Sequence, residues 1–163
     1  MNSFVYGVWD GKVYDYRHGA SGEPPTILEG LDHFSPYTPT KAFIADRGFI
    51  VFERRTSLTQ AFSQYMAQAA RQSCGRCTPC RVGTRRIRDE LQQFSAGDAD
   101  EHLLDDIEIL AAQLSETSLC GIGQTCTKAL SSALLHFRDE FQPLTPAQAV
   151  FQQQPLEGVG VHF

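Results

Sequence analysis

Between Ser57 and Phe141 apolar residues recur every three to four positions, a spacing that predicts four amphipathic helices. Ser57 is placed to cap the first, whose stripe is Leu58, Ala61, Phe62, Tyr65, Met66 and Ala69, and which ends near Gln72. Thr78 and Pro79 suit the N-cap and N1 positions of the second, running through Val82, Ile87 and Leu91 to Gly97. Asp98 or Asp100 opens a third, with Leu103, Leu104, Ile107, Leu110, Ala111 and Leu114. A fourth runs from about Gln124 to Phe141, with Leu130, Leu134, Phe137 and Phe141 on one side. Four helices of these lengths make a small bundle.

Upstream the period changes. The runs FVYGVW and KVYDY flank Asp10-Gly11, a two-residue hairpin signal. Apolar and polar positions alternate only partly in these runs, so the pattern does not assign their faces. Residues 17–41 carry Gly19, Gly22, Pro24, Pro25, Gly30, Pro36 and Pro39 and read as loop. The run AFIADRGFIVFE then predicts one more strand, around Gly48 to Phe52. After Gln142, three prolines, three consecutive glutamines, Gly158 and Gly160 argue against regular structure. The fold class expected is α+β, mainly α. Its divisions are a β/loop region over 1–55, a helical unit over 56–142 and an extended C-terminal tail over 143–163.

Composition narrows the function classes. A chain of 163 residues makes one domain, or one domain plus an appendage, and 42% hydrophobic content is enough for a core. The net charge of −5 lacks the basic excess that neutralises phosphates, so no nucleic-acid partner is expected. No run of about 18 apolar residues predicts a transmembrane segment, and MNSFVYGVWDGKVYDY does not read as a secretory signal. Five cysteines in a chain read this way suit a reducing cytoplasmic setting and cluster ligands better than disulfides.

Four of those cysteines carry the chemistry. Cys74, Cys77 and Cys80 lie in SCGRCTPC, and Cys120 follows after a gap of 39 residues in SLCGIG. Three thiols on one short loop can grip three corners of a compact cluster, and a distant fourth closes the cage. Four-thiolate ligation of a [4Fe–4S] cluster has this form. Structural zinc, the competing reading, is usually held by two separate pairs. The loops fall at predicted helix ends, where free N–H groups and the positive end of the dipole favour thiolates. Gly75, Gly121 and Gly123 would let backbone approach the sulfurs. Arg76 and Arg81 add charge beside the site, or form a solvated face with Asp89 and Glu90. Cys126, predicted inside a helix, reads as a small buried hydrophobe rather than a ligand.

In order, SCGRCTPCRVGTRR, DDIEILAAQLSETSLCGIGQT and ALLHFRDEF resemble the C-terminal helical domain of the NADH-binding flavoprotein subunit of respiratory complex I. The diaphorase subunits of NAD-linked formate dehydrogenases and hydrogenases share that domain. The resemblance covers about residues 45–142. It implies a [4Fe–4S] cluster on Cys74, Cys77, Cys80 and Cys120, fed one electron at a time from a nearby flavin. It also implies that the strand near Gly48–Phe52 ends a β-grasp domain, here truncated. The family's glycine-rich flavin and NADH domain has no counterpart, since residues 1–55 contain no G-x-G-x-x-G. Gln72 stands where the family commonly has Glu, and Thr125-Cys126-Thr127-Lys128 replaces a proline-containing stretch.

The expectation is an electron-transfer subunit with one [4Fe–4S] cluster and no FMN or NAD site of its own. Its partners would be other redox subunits of a multi-subunit complex, bearing flavin or further clusters. The alternative is a structural adaptor that uses the cluster, or zinc, only as a staple.

Overall fold

The structure, a computed structural model, describes residues 4–19, 40–98, 102–143 and 157–163. The loop expected over 17–41 lies mostly outside the described residues.

Strands β1 (Tyr6–Trp9) and β2 (Lys12–Asp15) form the expected hairpin. Asp10 and Gly11 both take positive φ, 52° and 75°, as a tight two-residue turn between twisted strands requires. The run predicted as one strand is instead two, β3 (Ala42–Ala45) and β4 (Gly48–Val51), antiparallel to each other. Asp46-Arg47 is the turn between them, polar enough to break a run otherwise apolar throughout. The predicted tail is also not free of regular structure. Its end forms β5 (Val159–Val161), which pairs parallel with β3 and completes the strand order β2-β1-β4-β3-β5.

Both faces of this sheet are apolar, which is why alternation reads poorly in the sequence. Tyr6, Val8, Ala42, Ile44, Phe49 and Val51 point inward and share one core with the helices. Trp9, Phe43, Ala45 and Ile50 point outward and pack with Phe4, Tyr14 and Phe52. The hairpin tips are tied together by the Arg47 Nε donating to Asp10 at 2.6 Å.

Helix α1 (Leu58–Gln72) starts at the expected cap, with the Ser57 hydroxyl accepting from the Gln60 N–H at 3.3 Å. Its stripe from Leu58 to Ala69 is buried as predicted. Helix α2 (Thr78–Ala96) is capped by Cys77, not Thr78, which moves Pro79 to the second position. Proline is tolerated there because the first four N–H groups of a helix have no internal partner. Helix α3 (Leu103–Thr117) begins after His102, so Asp98 does not open it; Asp100 lies outside the described residues.

The predicted fourth helix is broken in three: α4 (Gly121–Thr125), α5 (Lys128–His136) and a 3₁₀ turn (Arg138–Glu140). The first break lets the Thr127 hydroxyl donate to the Ala111 carbonyl at 3.1 Å while Cys126 is buried. The second, at Phe137 (φ −137°, ψ 37°), turns that ring onto Tyr6 and Phe49, with centroids 5.0 and 5.8 Å away. Side-chain packing against the sheet outweighs the propensity to continue the helix.

One charged residue closes the seam between sheet and helices. Arg17, 12% exposed, bonds Asp15 through Nη2 at 2.8 Å, and Asp139 and Glu140 through Nη1 at 2.7 and 2.6 Å. Its guanidinium lies over the Phe137 ring, 4.9 Å from the centroid. Planar stacking and forked donors are both properties of arginine that lysine lacks.

Candidate metal centre

Both cysteine loops lie at one end of the helices. The first joins α1 to α2, and the second joins α3 to α4. Cys77 and Cys120 are the N-cap residues of α2 and α4, with extended backbones. A side chain at that position stands beside the unpaired N–H groups of a helix start. Cys77 and Cys80 are buried, whereas Cys74 and Cys120 are exposed.

The loops are fitted against each other at Gly123. A Cβ there would lie 2.3 Å from both Cβ and Oγ of Ser118, and 3.2 Å from the Cβ of Cys80. A residue without a side chain lets the second loop fold this tightly on itself, and so brings it against Cys80 of the first. Gly75 serves differently, with a φ of 77° that bends the first loop between Cys74 and Cys77. Gly121 has open space beside it and is under neither constraint.

Electrostatics bind the loops too. The backbone N–H dipoles of Leu119 and then Cys80 hold the Cys77 thiol below the ordinary cysteine value. Leu119 belongs to the second loop and Cys77 to the first. The Ser118 hydroxyl helps lower Cys77, yet it is buried and makes no hydrogen bond of full geometry. Burial pushes the Cys80 thiol up, and the nearby charges of Cys77, Cys120 and Cys74 push it further. Its sulfur lies 3.2 Å from the Ser73 hydroxyl oxygen. Cys80 as a thiolate would thus feel the charge of the other three cysteines, a cost that a bound cationic centre removes.

Among the described residues, no group of three or more His, Cys, Asp or Glu is disposed to hold a metal ion. Zinc needs four ligand atoms converging on one point at about 2.0–2.3 Å. A cubane takes one thiolate on each of four irons, so its sulfurs stand further apart. Four cysteines on two loops, two of them at helix N-caps, offer the donor set that such a cluster takes.

Cys126 is fully buried in the main core, and burial pushes its thiol up to about 12. It packs as the small hydrophobe expected from the sequence. Arg81 shares the outer face of α2 with Asp89 and Glu90, the second of the two readings, but pairs with neither carboxylate. Arg81 donates to the Gly75 carbonyl at 2.9 Å, while Glu90 pairs with Arg86 and Asp89 with Arg88. Ser118, Leu119 and Gln124 are site residues that sequence reasoning passed over. Gln124 Nε2 donates to the Ser118 carbonyl at 3.0 Å and braces the second loop.

Comparison with known proteins gives a consistent answer. The NADH-ubiquinone oxidoreductase-F iron-sulfur binding region matches residues 60–144. The NADP(+)-dependent formate dehydrogenase subunit beta of Moorella thermoacetica is 34% identical over 88% of this chain and 20% of its own length. The mitochondrial NADH-ubiquinone oxidoreductase 51 kDa subunit of Aspergillus niger is 27% identical over 85% of this chain and 28% of its own length. The NADP-reducing hydrogenase subunit HndC of Solidesulfovibrio fructosivorans is 26% identical over 63% and 21%. The chain thus spans under a third of the length of these relatives.

Proposed function

This chain belongs to the NADH-ubiquinone oxidoreductase-F iron–sulfur binding region family, and on that premise we propose that it relays single electrons inside a larger oxidoreductase. Cys74, Cys77, Cys80 and Cys120 hold one [4Fe–4S] cluster. Such a cluster, when bound, accepts and returns one electron at a time at a potential tuned by its surroundings. The chain's own residues do the rest. Cys77 and Cys80, both buried, shield the inner side from water, while Cys74 and Cys120 leave the outer side open. The Leu119 and Cys80 N–H dipoles stabilise negative charge on sulfur.

The observation that carries this reading is the Gly123 junction, which closes the two cysteine loops onto each other. Residues 56–142 act as the iron–sulfur unit, with the sheet and the end of the tail bracing it. Flavin and NADH are supplied by partner subunits of a cytoplasmic complex, and the chain itself has no turnover alone. Its likeness to subunits of formate dehydrogenase, hydrogenase and NADH-ubiquinone oxidoreductase supports such partners. Among the described residues, no helix is long and apolar enough to cross a membrane.

Ligand substitutions test the assignment. Cys77→Ala and Cys120→Ala are expected to lose the cluster's iron and its visible absorbance, and Cys126→Ser to keep both. Loss in Cys126→Ser together with retention in Cys120→Ala would overturn the ligand set.

A further inference from the structure

The chain carries net charge −5, yet residues 71–88 contain six arginines and no acidic residue. Those arginines are Arg71, Arg76, Arg81, Arg85, Arg86 and Arg88. All but Arg88 are exposed. The segment covers the last turn of α1, the first cysteine loop and the opening turns of α2. Among the described residues, Arg71, Arg76, Arg81 and Arg85 pair with no carboxylate. Arg81, Val82, Arg85 and Arg86 line an open groove along the outer face of α2 together with Asp89, Glu90 and Gln93, where Glu90 pairs with Arg86 and Asp89 with Arg88. Two large apolar side chains are exposed nearby, Val82 in the groove at 51% and Leu119, whose N–H faces Cys77 of the first cysteine loop, at 78%.

We propose that this face docks an electron-transfer protein whose own cofactor is rimmed by acidic residues. The inference rests on the electron-relay reading above, since it names the partner of that same site. Three physical reasons select this occupant. Unpaired positive charge concentrated on an acidic chain steers an acidic partner to one place on its surface and repels it elsewhere. Arginine rims around an apolar contact are common anatomy for protein interfaces. Electron tunnelling falls steeply with distance, and this face borders both exposed cysteines.

The test separates docking from electron transfer. The full chain, prepared anaerobically, is titrated at low ionic strength into a fluorescently labelled acidic b-type cytochrome, and binding is read by anisotropy. A basic c-type cytochrome and a short DNA duplex serve as competing probes. Binding is expected to the acidic cytochrome alone and to weaken steeply as salt rises. Arg85→Glu should weaken it by about tenfold at low salt. Lys12→Glu changes net charge equally but lies on the hairpin, and should leave affinity within about twofold. Equal losses in the two variants would overturn the proposal, as would preference for the basic cytochrome or equal binding of the duplex. Reduction of the bound cytochrome is then followed by stopped flow. Arg85-sensitive binding without electron transfer would uphold the docking face and sink the relay. A cluster that reduces reversibly while binding ignores Arg85 would uphold the relay and sink the docking face.

Discussion

Single atoms decide the site. Gly123→Ala adds one methyl where 2.3 Å separates it from Ser118. Forcing a group into packing this tight costs about 1–3 kcal/mol. Here the strain falls within the second cysteine loop, where the same methyl would also meet the Cβ of Cys80 in the first loop at 3.2 Å. The variant is expected to fold, to melt several degrees lower and to lose most of its iron after gel filtration. Full iron retention would show that the junction does not hold the ligands. Cys126 supplies the opposite case. Its burial and raised thiol pKa predict inertness, since the thiolate is the reactive form. Iodoacetamide on folded, iron-free protein should label Cys74 and Cys120 first and leave Cys126 unlabelled until denaturant is added, as mass spectrometry can check. The four candidate ligands stood out in the sequence because a triplet and a singlet of cysteines is a rare pattern. The contacts of Ser118, Leu119 and Gly123 did not, because they join residues about 40 apart through space.

Elements obey the same logic. The Asp10-Gly11 hairpin could be read from two residues, because only a turn with positive φ demands them. Strand β5 could not. Its partner β3 lies more than 110 residues earlier, and the surrounding Pro, Gly and Gln composition argues against any strand. What holds it is tertiary. Val159, Val161 and Phe163 pack on the core, Phe163 stacks on Tyr65 at 4.8 Å, and the Lys41 N–H donates to the Gly158 carbonyl at 2.7 Å. Deleting 157–163 is expected to cost about 3 kcal/mol, judged from the apolar area uncovered, and to expose the edge of β3 to aggregation. Thermal unfolding and light scattering would check both. An unchanged midpoint would mean that the strand is not docked in solution.

Arg17 joins elements through charge. Its guanidinium holds the Asp15 carboxyl below the ordinary value of 3.8. The folded pKa is thus below the unfolded one, so this contribution is fully present above about pH 4 and is lost as pH falls through the folded value. Arg17→Met should cost about 2 kcal/mol at pH 7, on the scale of hydrogen bonds to charged groups and discounted for the exposed Asp139. It should also flatten the fall in stability below pH 4. An acid limb as steep as in the parent chain would mean that Asp15 is not the group lost.

Among the described residues, a five-stranded sheet and a set of helices share the main core, a smaller apolar cluster covers the sheet's other face, and the two cysteine loops lie at one end. The helical half was read nearly in full, because a 3.6-residue stripe survives burial on one side. The sheet was read in part, because apolar faces on both sides erase alternation. No residue of the described core is spared for a nucleotide fold, so the isolated chain is expected to bind neither flavin mononucleotide nor NADH at micromolar concentration. Calorimetry decides that point. The central claim, a one-electron cluster on four cysteines, is tested most directly by a reductive EPR titration of anaerobically prepared protein, with iron and sulfide assayed on the same sample. About four irons, four sulfides and one reversible spin per chain are expected. Stoichiometric zinc in iron-replete preparations, or iron that never changes its spin state across the accessible potentials, would contradict the account and leave a structural staple in its place.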